Sequence, residues 1–120
     1  MDKNDLRLVG KIGYNYKITK AQNGKEYASF AIEVEARSNA RETENNYHQT
    51  IHVMCFKPNV VKYLKKVKAR QGNNVIVFGF ISSYPSEIKG KQIVANGVCA
   101  TEIYVIKTMS DDEIYEKLNK

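Results

Sequence analysis

The sequence predicts an all-β domain in which five strands close into a barrel, with one short helix between the third and fourth strands. Three observations support this prediction: long segments of period-two apolar alternation, glycines that interrupt them, and a single stretch of helical spacing. The 120 residues match the size of one domain, and 42% of them are apolar and 27% charged, as in ordinary globular proteins.

The first predicted strand covers residues 6–18, in which the residues of one parity form a buried face. The glycines at positions 10 and 13 predict a bend or a bulge in it. Asn23-Gly24 predicts a hairpin turn into the next strand. The predicted buried face consists of Leu6, Leu8, Gly10, Ile12, Tyr14, Tyr16 and Ile18.

Alternation continues over residues 27–37, which form the second predicted strand. Its inward residues are Ala28, Phe30, Ile32, Val34 and Ala36. Residues 38–46 have no large apolar side chain and predict a long loop. In the third strand, Ile51, Val53 and Cys55 face inward, whereas His52, Met54 and Phe56 face outward.

The apolar spacing becomes helical after Pro58, which suits the first turn of a helix. Two more strands follow at residues 75–81 and 93–106. Five strands with a helix between the third and fourth match the OB-fold barrel. Residues 1–107 are the predicted OB-fold domain, and residues 108–120 are a short acidic segment with a serine cap that could form one or two helical turns or stay loose.

The charge of the chain is uneven. It has 19 basic and 13 acidic residues, a net charge of +6, but the first 107 residues carry 17 basic against 9 acidic. A basic body is typical of proteins that bind polyanions, and a merely lysine-rich soluble surface is the alternative.

Several function classes are disfavoured. The sequence has no phosphate-binding loop, nucleophile elbow or zinc-protease motif, so we expect neither an enzyme nor a cofactor. His48 and His52 would lie about 13 Å apart on a strand, too far to share one metal ion. Cys55 and Cys99 are predicted to be reduced and buried. With no signal peptide and no apolar run near the roughly 20 residues of a membrane helix, a cytoplasmic protein without a membrane partner is expected.

Outward-facing aromatic rings among cations predict a surface for single-stranded nucleic acid. Every base has a face that stacks on a ring, and each such stack contributes about 1–3 kcal/mol. Phe56 and Tyr84 are the best stacking candidates. The other predicted contacts are Tyr47, Arg37, Arg41, Lys57, Lys89 and Lys91.

The strand at residues 75–81 is apolar on both faces, although a barrel has only one interior. Its outward residues Ile76, Phe78 and Phe80 would form an exposed apolar patch, which soluble monomers rarely tolerate. They therefore predict the interface of a homo-oligomer, either a dimer or a tetramer.

Five segments, in order, resemble the bacterial single-stranded DNA-binding proteins of the homotetrameric OB-fold type. They are LVGKIG at 8–13, the turn at 23–24 with ASF at 28–30, Phe56 with VKYLKK at 61–66, VIVFGFI at 75–81, and GKQIVANGVCATEIYVI at 90–106. The resemblance implies binding of single-stranded DNA in replication, recombination and repair. It also implies a stacking role for Phe56, a basic-strand position for His52, a place for Arg37 beside a second stacking position, and a basic helix end for Lys65 and Lys66.

The chain also departs from that family pattern. It has no tryptophan, and Ser38 and Thr50 stand where family members often carry a ring. The chain stops at Lys120 without the long acidic tail that recruits partner enzymes, so a short form of the kind carried by phages and mobile elements is expected. Replication or recombination proteins remain possible partners, and these departures predict weaker stacking and a greater dependence on charge.

Other functions remain open on the same fold. One is a replisome-accessory or annealing module with little direct DNA affinity. A second is a pure protein-interaction domain that uses the outer aromatic rings for assembly. An OB-fold nuclease is disfavoured because its constellation of carboxylates and arginines is missing.

Overall fold

The computed structural model describes residues 4–35 and 48–119, except for the side chains at positions 48 and 84–86. The described residues form six strands, two α-helices and one 3-10 turn. Their bounds are β1 Leu6–Ile12, β2 Lys17–Lys20, β3 Glu26–Glu35, β4 His48–Cys55, α1 Pro58–Lys66, β5 Asn74–Ile88, β6 Lys91–Val105, the 3-10 turn Ile106–Thr108, and α2 Asp111–Leu118. The loop predicted at residues 38–46 lies outside the described residues.

The strands close into the predicted barrel. Their order in the sheet is β1-β5-β6-β4-β3-β2, and a further pairing between β1 and β3 completes the circle. The first predicted strand is divided into β1 and β2, so β2 is a short sixth strand beside β3. The all-β class, the five-stranded barrel and the helix that precedes β5 are therefore confirmed.

The barrel closes at Gly10, where β1 leaves β5 and meets β3. A Cβ atom at this position would lie 2.1 Å from the main-chain oxygen of Glu33, which no side chain could tolerate. The next two residues of β1, Lys11 and Ile12, pair with Glu33 and Ile32. The glycine is thus required by the close approach of two backbones.

The interior of the barrel is filled by the inward parity of each strand. Phe30, Ile32, Val53, Val75 and Val77 are almost completely buried, as alternation predicts. The residues between them on β3, Ser29 and Ala31, are also buried, although they face outward. The outer surface of β3 is therefore the floor of a depression.

Helix α1 covers one end of the barrel with Val60, Val61 and Leu64. It ends in a Schellman arrangement, in which Lys68 donates to the main-chain oxygen of Lys65 and Ala69 donates to that of Leu64. Lys68 has a φ of 55°, so a lysine occupies the left-handed position that usually holds glycine.

Tyr14 is exposed, so its predicted place in the core is wrong. The strand pattern breaks at a turn in which Asn15 has a φ of 62°. β1 and β2 both run antiparallel to β3, so the turn interrupts the strand between them without reversing its direction, and the parity of the strand does not continue through Tyr14. The turn stays close to the sheet, since Gly13 donates a hydrogen bond of 2.6 Å to the main-chain oxygen of Ala31.

Strands β5 and β6 are longer than predicted and form one continuous hairpin. They are joined by Lys89 and Gly90, both with positive φ, as in a two-residue type I′ turn. Ile81 has the inward parity of Val75 and Val77, but it is exposed because the hairpin extends past the end of the barrel here. The pairing of β5 with β1 ends at Gly79. Beyond it, the side-chain amide of Asn4 exchanges hydrogen bonds of 2.8 and 2.9 Å with the backbone of Ile81, in place of a β1 residue.

Ile76 does not belong to an exposed patch, in contrast to the prediction, because its side chain is 0% exposed within one chain. It lies between Val9 of β1 and Tyr104 of β6 on the outer face of the sheet. Helix α2 contacts this face on both sides of Ile76, through Arg7 and Tyr104. Ile76 is therefore buried by neighbours within the same chain, whereas Phe80 of the predicted patch stays partly exposed.

Candidate nucleic-acid interface

Two adjoining grooves cross the outer face of the sheet and meet at His52. The first has a volume of about 610 Å³ and is lined by Tyr14, Asn15, Lys17, Ser29, Ala31, Thr50, Ile51, His52 and Asn96. The second has a volume of about 380 Å³ and is lined by His52, Met54, Phe56, Ser82, Ser83, Gly97, Val98 and Cys99. Together they form one open channel over β2, β3, β4 and the β5–β6 hairpin.

Strand register explains why these side chains meet. Neighbouring residues across the sheet share a face. One row across five strands therefore consists of Lys17, Ser29, Met54, Cys99 and Phe80. A cation stands at one end of this row and an aromatic ring, 36% exposed, at the other. Small and apolar side chains between them leave the channel open.

Phe56 forms the aromatic part of the second groove. Its side chain is 54% exposed, and its ring centroid lies 5.3 Å from that of Tyr27, with 31° between the ring planes. Tyr27 is half-buried and belongs to the neighbouring strand β3. Packing against Tyr27 holds the orientation of Phe56 while leaving more than half of it available to a ligand.

His52 lies at the junction of the two grooves. Partial burial, and then the positive charge of Lys17, lower the pKa of His52 from its ordinary value. The imidazole is therefore uncharged at neutral pH and gains a proton only in more acidic solution. Lys17 supplies the fixed positive charge at this position.

The remaining predicted contacts are not all brought to the channel. Lys57 follows Phe56 and is exposed beside it, and Lys89 and Lys91 are exposed at the tip of the β5–β6 hairpin. Lys65 instead forms an ion pair of 2.6 Å with Glu26, in a separate cleft next to α1. Lys66 is exposed in the last turn of that helix. The predicted contacts Arg37, Arg41 and Tyr47, and the side chain of Tyr84, lie outside the described residues.

Sequence reasoning missed four residues that line the channel, Lys17, Tyr14, Met54 and Cys99, and it missed Tyr27, which packs against Phe56. A signal existed for Lys17 and Met54, since alternation placed both on the outer face. Alternation does not show which outer residues of different strands become neighbours. The pairing of Lys17 with Ser29, and of Ser29 with Met54, supplies that information.

Within residues 4–35 and 48–119, no group of three or more His, Cys, Asp or Glu side chains could hold a metal ion. The thiols of Cys55 and Cys99 are both free, and burial raises the pKa of the Cys55 thiol. Helices of the described part are all too short or too polar to cross a membrane.

Several solved structures share this fold. A Plasmodium falciparum SSB in complex with ssDNA is 17% identical with a TM-score of 0.70, covering 88% of this chain and 95% of that one. The small single-stranded DNA-binding protein from Streptomyces coelicolor is 17% identical with a TM-score of 0.64, covering 91% of this chain and 100% of that one. The mitochondrial single-stranded DNA-binding protein Rim1 from S. cerevisiae is 18% identical with a TM-score of 0.60, covering 88% and 97%.

No curated protein matches the chain significantly. At the identities given above, the solved structures establish the fold alone. The sequence itself matches the family description "Single-strand binding protein family" over residues 3–106, which is most of the chain. The residues behind this match include all six strands and α1. The chain therefore belongs to the single-strand binding protein family.

Proposed function

We propose that this protein binds single-stranded DNA along the outer channel and shields it during replication, recombination or repair. The observation that carries the proposal is the lining of the channel. Among the described residues it holds aromatic rings, a lysine and a histidine but no carboxylate. Such a surface attracts a phosphate backbone and offers rings to unstacked bases.

Stacking in this channel requires bases that are not already stacked. The exposed part of Phe56 stands at one groove wall, and Tyr14 is exposed at the wall of the other groove. In a duplex both faces of each base are occupied by its neighbours, so these rings would gain little. The proposal therefore includes a preference for single strands over duplex DNA.

Phe80 is assigned to the DNA channel in this proposal, although the sequence favoured a role in assembly. It occupies the same row as Cys99 and Met54, and it remains partly exposed. The lysines at the tip of the hairpin, Lys89 and Lys91, would extend the cationic track beyond the barrel. Arg37, Arg41, Tyr47 and Tyr84 remain predicted contacts.

A thiol in the channel allows a direct test on the unmodified full chain. Cys99 is partly exposed in the second groove, whereas Cys55 is buried in the core. Bound oligo(dT) should slow the alkylation of Cys99 by iodoacetamide. Mass spectrometry measures the extent of alkylation over time. A duplex of the same length should protect much less, and Cys55 should stay unmodified throughout as an internal control for folding.

Three outcomes would contradict the proposal. Equal alkylation of Cys99 with and without oligo(dT), at a concentration that saturates binding, would place the DNA elsewhere on the molecule. Equal protection by duplex DNA would remove stacking from the mechanism. Absence of any binding to oligo(dT) would favour the alternative of a protein-interaction module.

A homo-oligomer, either dimer or tetramer, remains a proposal. It is supported by apolar side chains that stay exposed outside the channel, among them Val9 on β1 and Ile88 on the hairpin. Light scattering on the purified chain gives the mass directly. Residues 108–120 are likewise proposed to be a segment separate from the OB-fold domain, since the family match ends at residue 106.

A further inference from the structure

Three side chains with soft donor atoms line the second groove together. They are the imidazole of His52, the thioether of Met54 and the thiol of Cys99. All three residues are partly exposed, whereas the other thiol, that of Cys55, is buried in the core. One groove therefore holds an imidazole and two sulfur atoms, supplied by the two strands β4 and β6.

Strand register brings these three side chains to one place. Met54 on β4 pairs directly with Cys99 on β6, so the two are neighbours on the outer face of the sheet. His52 lies two residues before Met54 on the same strand, and therefore on the same face. Residues placed diagonally, as His52 and Cys99 are, lie about 7–8 Å apart, within reach of a side chain as long as an imidazole. An ion between them is thus in reach of all three donors.

Gly97 leaves room for the imidazole to lean toward β6. The parallel pairing of Met54 with Cys99, followed two residues back along both strands, places Gly97 across from His52. Gly97 also lines the groove. Because glycine has no side chain, nothing from this position separates the imidazole from the thiol.

The surroundings favour a soft metal ion. Among the described residues that line this groove there is no carboxylate, and the ring of Phe56 forms part of its wall. Magnesium and calcium require oxygen ligands, and a structural zinc site requires four ligands of which a thioether is not one. Thiolate and thioether sulfur select Cu(I), which imidazole also binds.

We propose that His52, Met54 and Cys99 form a binding site for one Cu(I) ion. The thiol of Cys99 releases its proton to solvent, and its sulfur forms a bond to copper. His52 contributes a nitrogen lone pair and Met54 a sulfur lone pair. Copper stays in the Cu(I) state, and its single positive charge replaces that of the released proton, so the net charge of the site does not change.

Bound copper should also affect the DNA channel, a consequence that rests on the proposed function. Ligation draws the side chains of His52 and Met54 toward Cys99, across the floor of the second groove and at its junction with the first. Because the net charge of the site is unchanged, copper adds no attraction for a phosphate. Copper and single-stranded DNA should therefore exclude each other.

Anaerobic titration of the full chain with Cu(I), in competition with a coloured Cu(I) chelator, tests the site without DNA. We expect one ion per unmodified chain and loss of this binding in Cys99→Ser. Met54→Leu should weaken binding by at least about tenfold, since even the outer partners of metal ligands contribute about 10–100-fold. Met109→Leu is the matched control, because Met109 is partly exposed outside both grooves and its variant should bind like the unmodified chain.

X-ray absorption at the copper edge provides a second readout, with one nitrogen and two sulfur ligands expected in the unmodified chain and one sulfur fewer in Met54→Leu. Equal affinities of Met54→Leu and Met109→Leu for Cu(I) would overturn the proposal, as would copper binding that survives in Cys99→Ser. If Cys99→Ser does not fold, the folded unmodified chain alkylated at Cys99 replaces it and should likewise lose Cu(I) binding.

A titration with DNA separates this proposal from the proposed function. Oligo(dT) at about 100 times its dissociation constant should lower the apparent affinity for Cu(I) about 100-fold, as for two ligands that exclude each other. An unchanged Cu(I) affinity with oligo(dT) bound would overturn the exclusion and leave the metal site in place. If oligo(dT) did not bind at all, the proposed function would fail, and the titration without DNA would still decide the metal site.

Discussion

At the scale of single residues, Phe56 is the side chain on which stacking in the channel most depends. It is exposed, oriented by Tyr27, and adjacent to Lys57. We expect Phe56→Ala to weaken binding of oligo(dT) by about 1–3 kcal/mol, the usual contribution of one base–ring stack. Fluorescence anisotropy measures the change.

The control for this substitution is Tyr115→Ala, which removes another exposed ring, on α2 and outside both grooves. Its affinity for oligo(dT) should equal that of the unmodified chain. If both variants lost affinity for oligo(dT) to a similar extent, the loss could not be assigned to stacking on Phe56. It would then reflect a general loss of protein stability.

His52 should make DNA affinity depend on pH. Its pKa is lowered by burial and by Lys17, so it is uncharged above its ordinary value of 6.5. A bound phosphate would favour the charged imidazole and raise the pKa in the complex. Affinity should therefore increase as the pH falls below 6.5, and His52→Gln should remove this increase in anisotropy titrations.

The stability of the free protein should change in the opposite direction. Because the pKa of His52 is lower in the folded than in the unfolded chain, the unfolded chain binds the proton more readily in this range. The contribution of His52 to stability is therefore fully present above pH 6.5 and is lost as the pH falls through the lowered pKa. Denaturant melts should show that the unmodified chain loses stability below pH 6.5 and that His52→Gln does not. The same pH dependence of the free energy of unfolding in both proteins would contradict the lowered pKa of His52.

At the scale of elements, the end of α1 is less stable than it could be. Lys68 occupies the left-handed position of the Schellman arrangement, with a φ of 55°. A side chain in this conformation costs about 1–2 kcal/mol, which glycine avoids at the expense of a more flexible unfolded chain. We expect Lys68→Gly to stabilise the protein by up to about 1 kcal/mol and to raise Tm by about 4 °C.

The same substitution in the middle of the helix should act in the other direction. Lys62 is exposed in the interior of α1, with ordinary helical geometry. Lys62→Gly should lower stability by about 1 kcal/mol, since glycine is a poor helix residue. Calorimetry compares the Tm of the two variants. If Lys68→Gly and Lys62→Gly lower Tm by the same amount, the left-handed φ of Lys68 has no energetic cost.

At the scale of the whole molecule, the net charge of +6 should make DNA binding strongly dependent on salt. With about five phosphates neutralised, log K should fall against log salt with a slope of about −3.5. Lys17→Gln should make the slope shallower by about 0.7, the effect of one lost contact. Phe56→Ala should lower the affinity and leave the slope nearly unchanged, and a flat titration would contradict a charge-driven mechanism.

The elements of the fold could largely be predicted because their signals are local. Alternation placed Phe30, Ile32 and Val53 in the core, and helical spacing after Pro58 located α1. Burial was predicted wrongly at positions where the alternation of inward and outward residues stops or no longer faces the barrel interior. Tyr14 lies in a turn, and Ile81 lies on a strand that continues past the barrel, so alternation no longer decides what is buried.

The candidate site could be predicted only in part, because a channel combines strands that are distant in sequence. Alternation placed Phe56 and His52 on the outer face, and Lys57 directly follows Phe56. Lys17 and Cys99 were not recognised as channel residues, since they join the row only through cross-strand pairs. Lys65 was assigned to DNA, but the fold places it against Glu26.

By itself, then, the sequence determined the all-β class, the position of α1, the inward parity of the strands and the family. The tertiary structure decided the strand register, which assembles the channel, and the burial of Ile76 on the outer face of the sheet. Parity and propensity depend on neighbours a few residues away, and a sequence pattern displays them directly. Register and burial depend on contacts between distant parts of the chain, such as the pairing of Ile76 with Val9 and with Tyr104, which form only when the whole chain has folded.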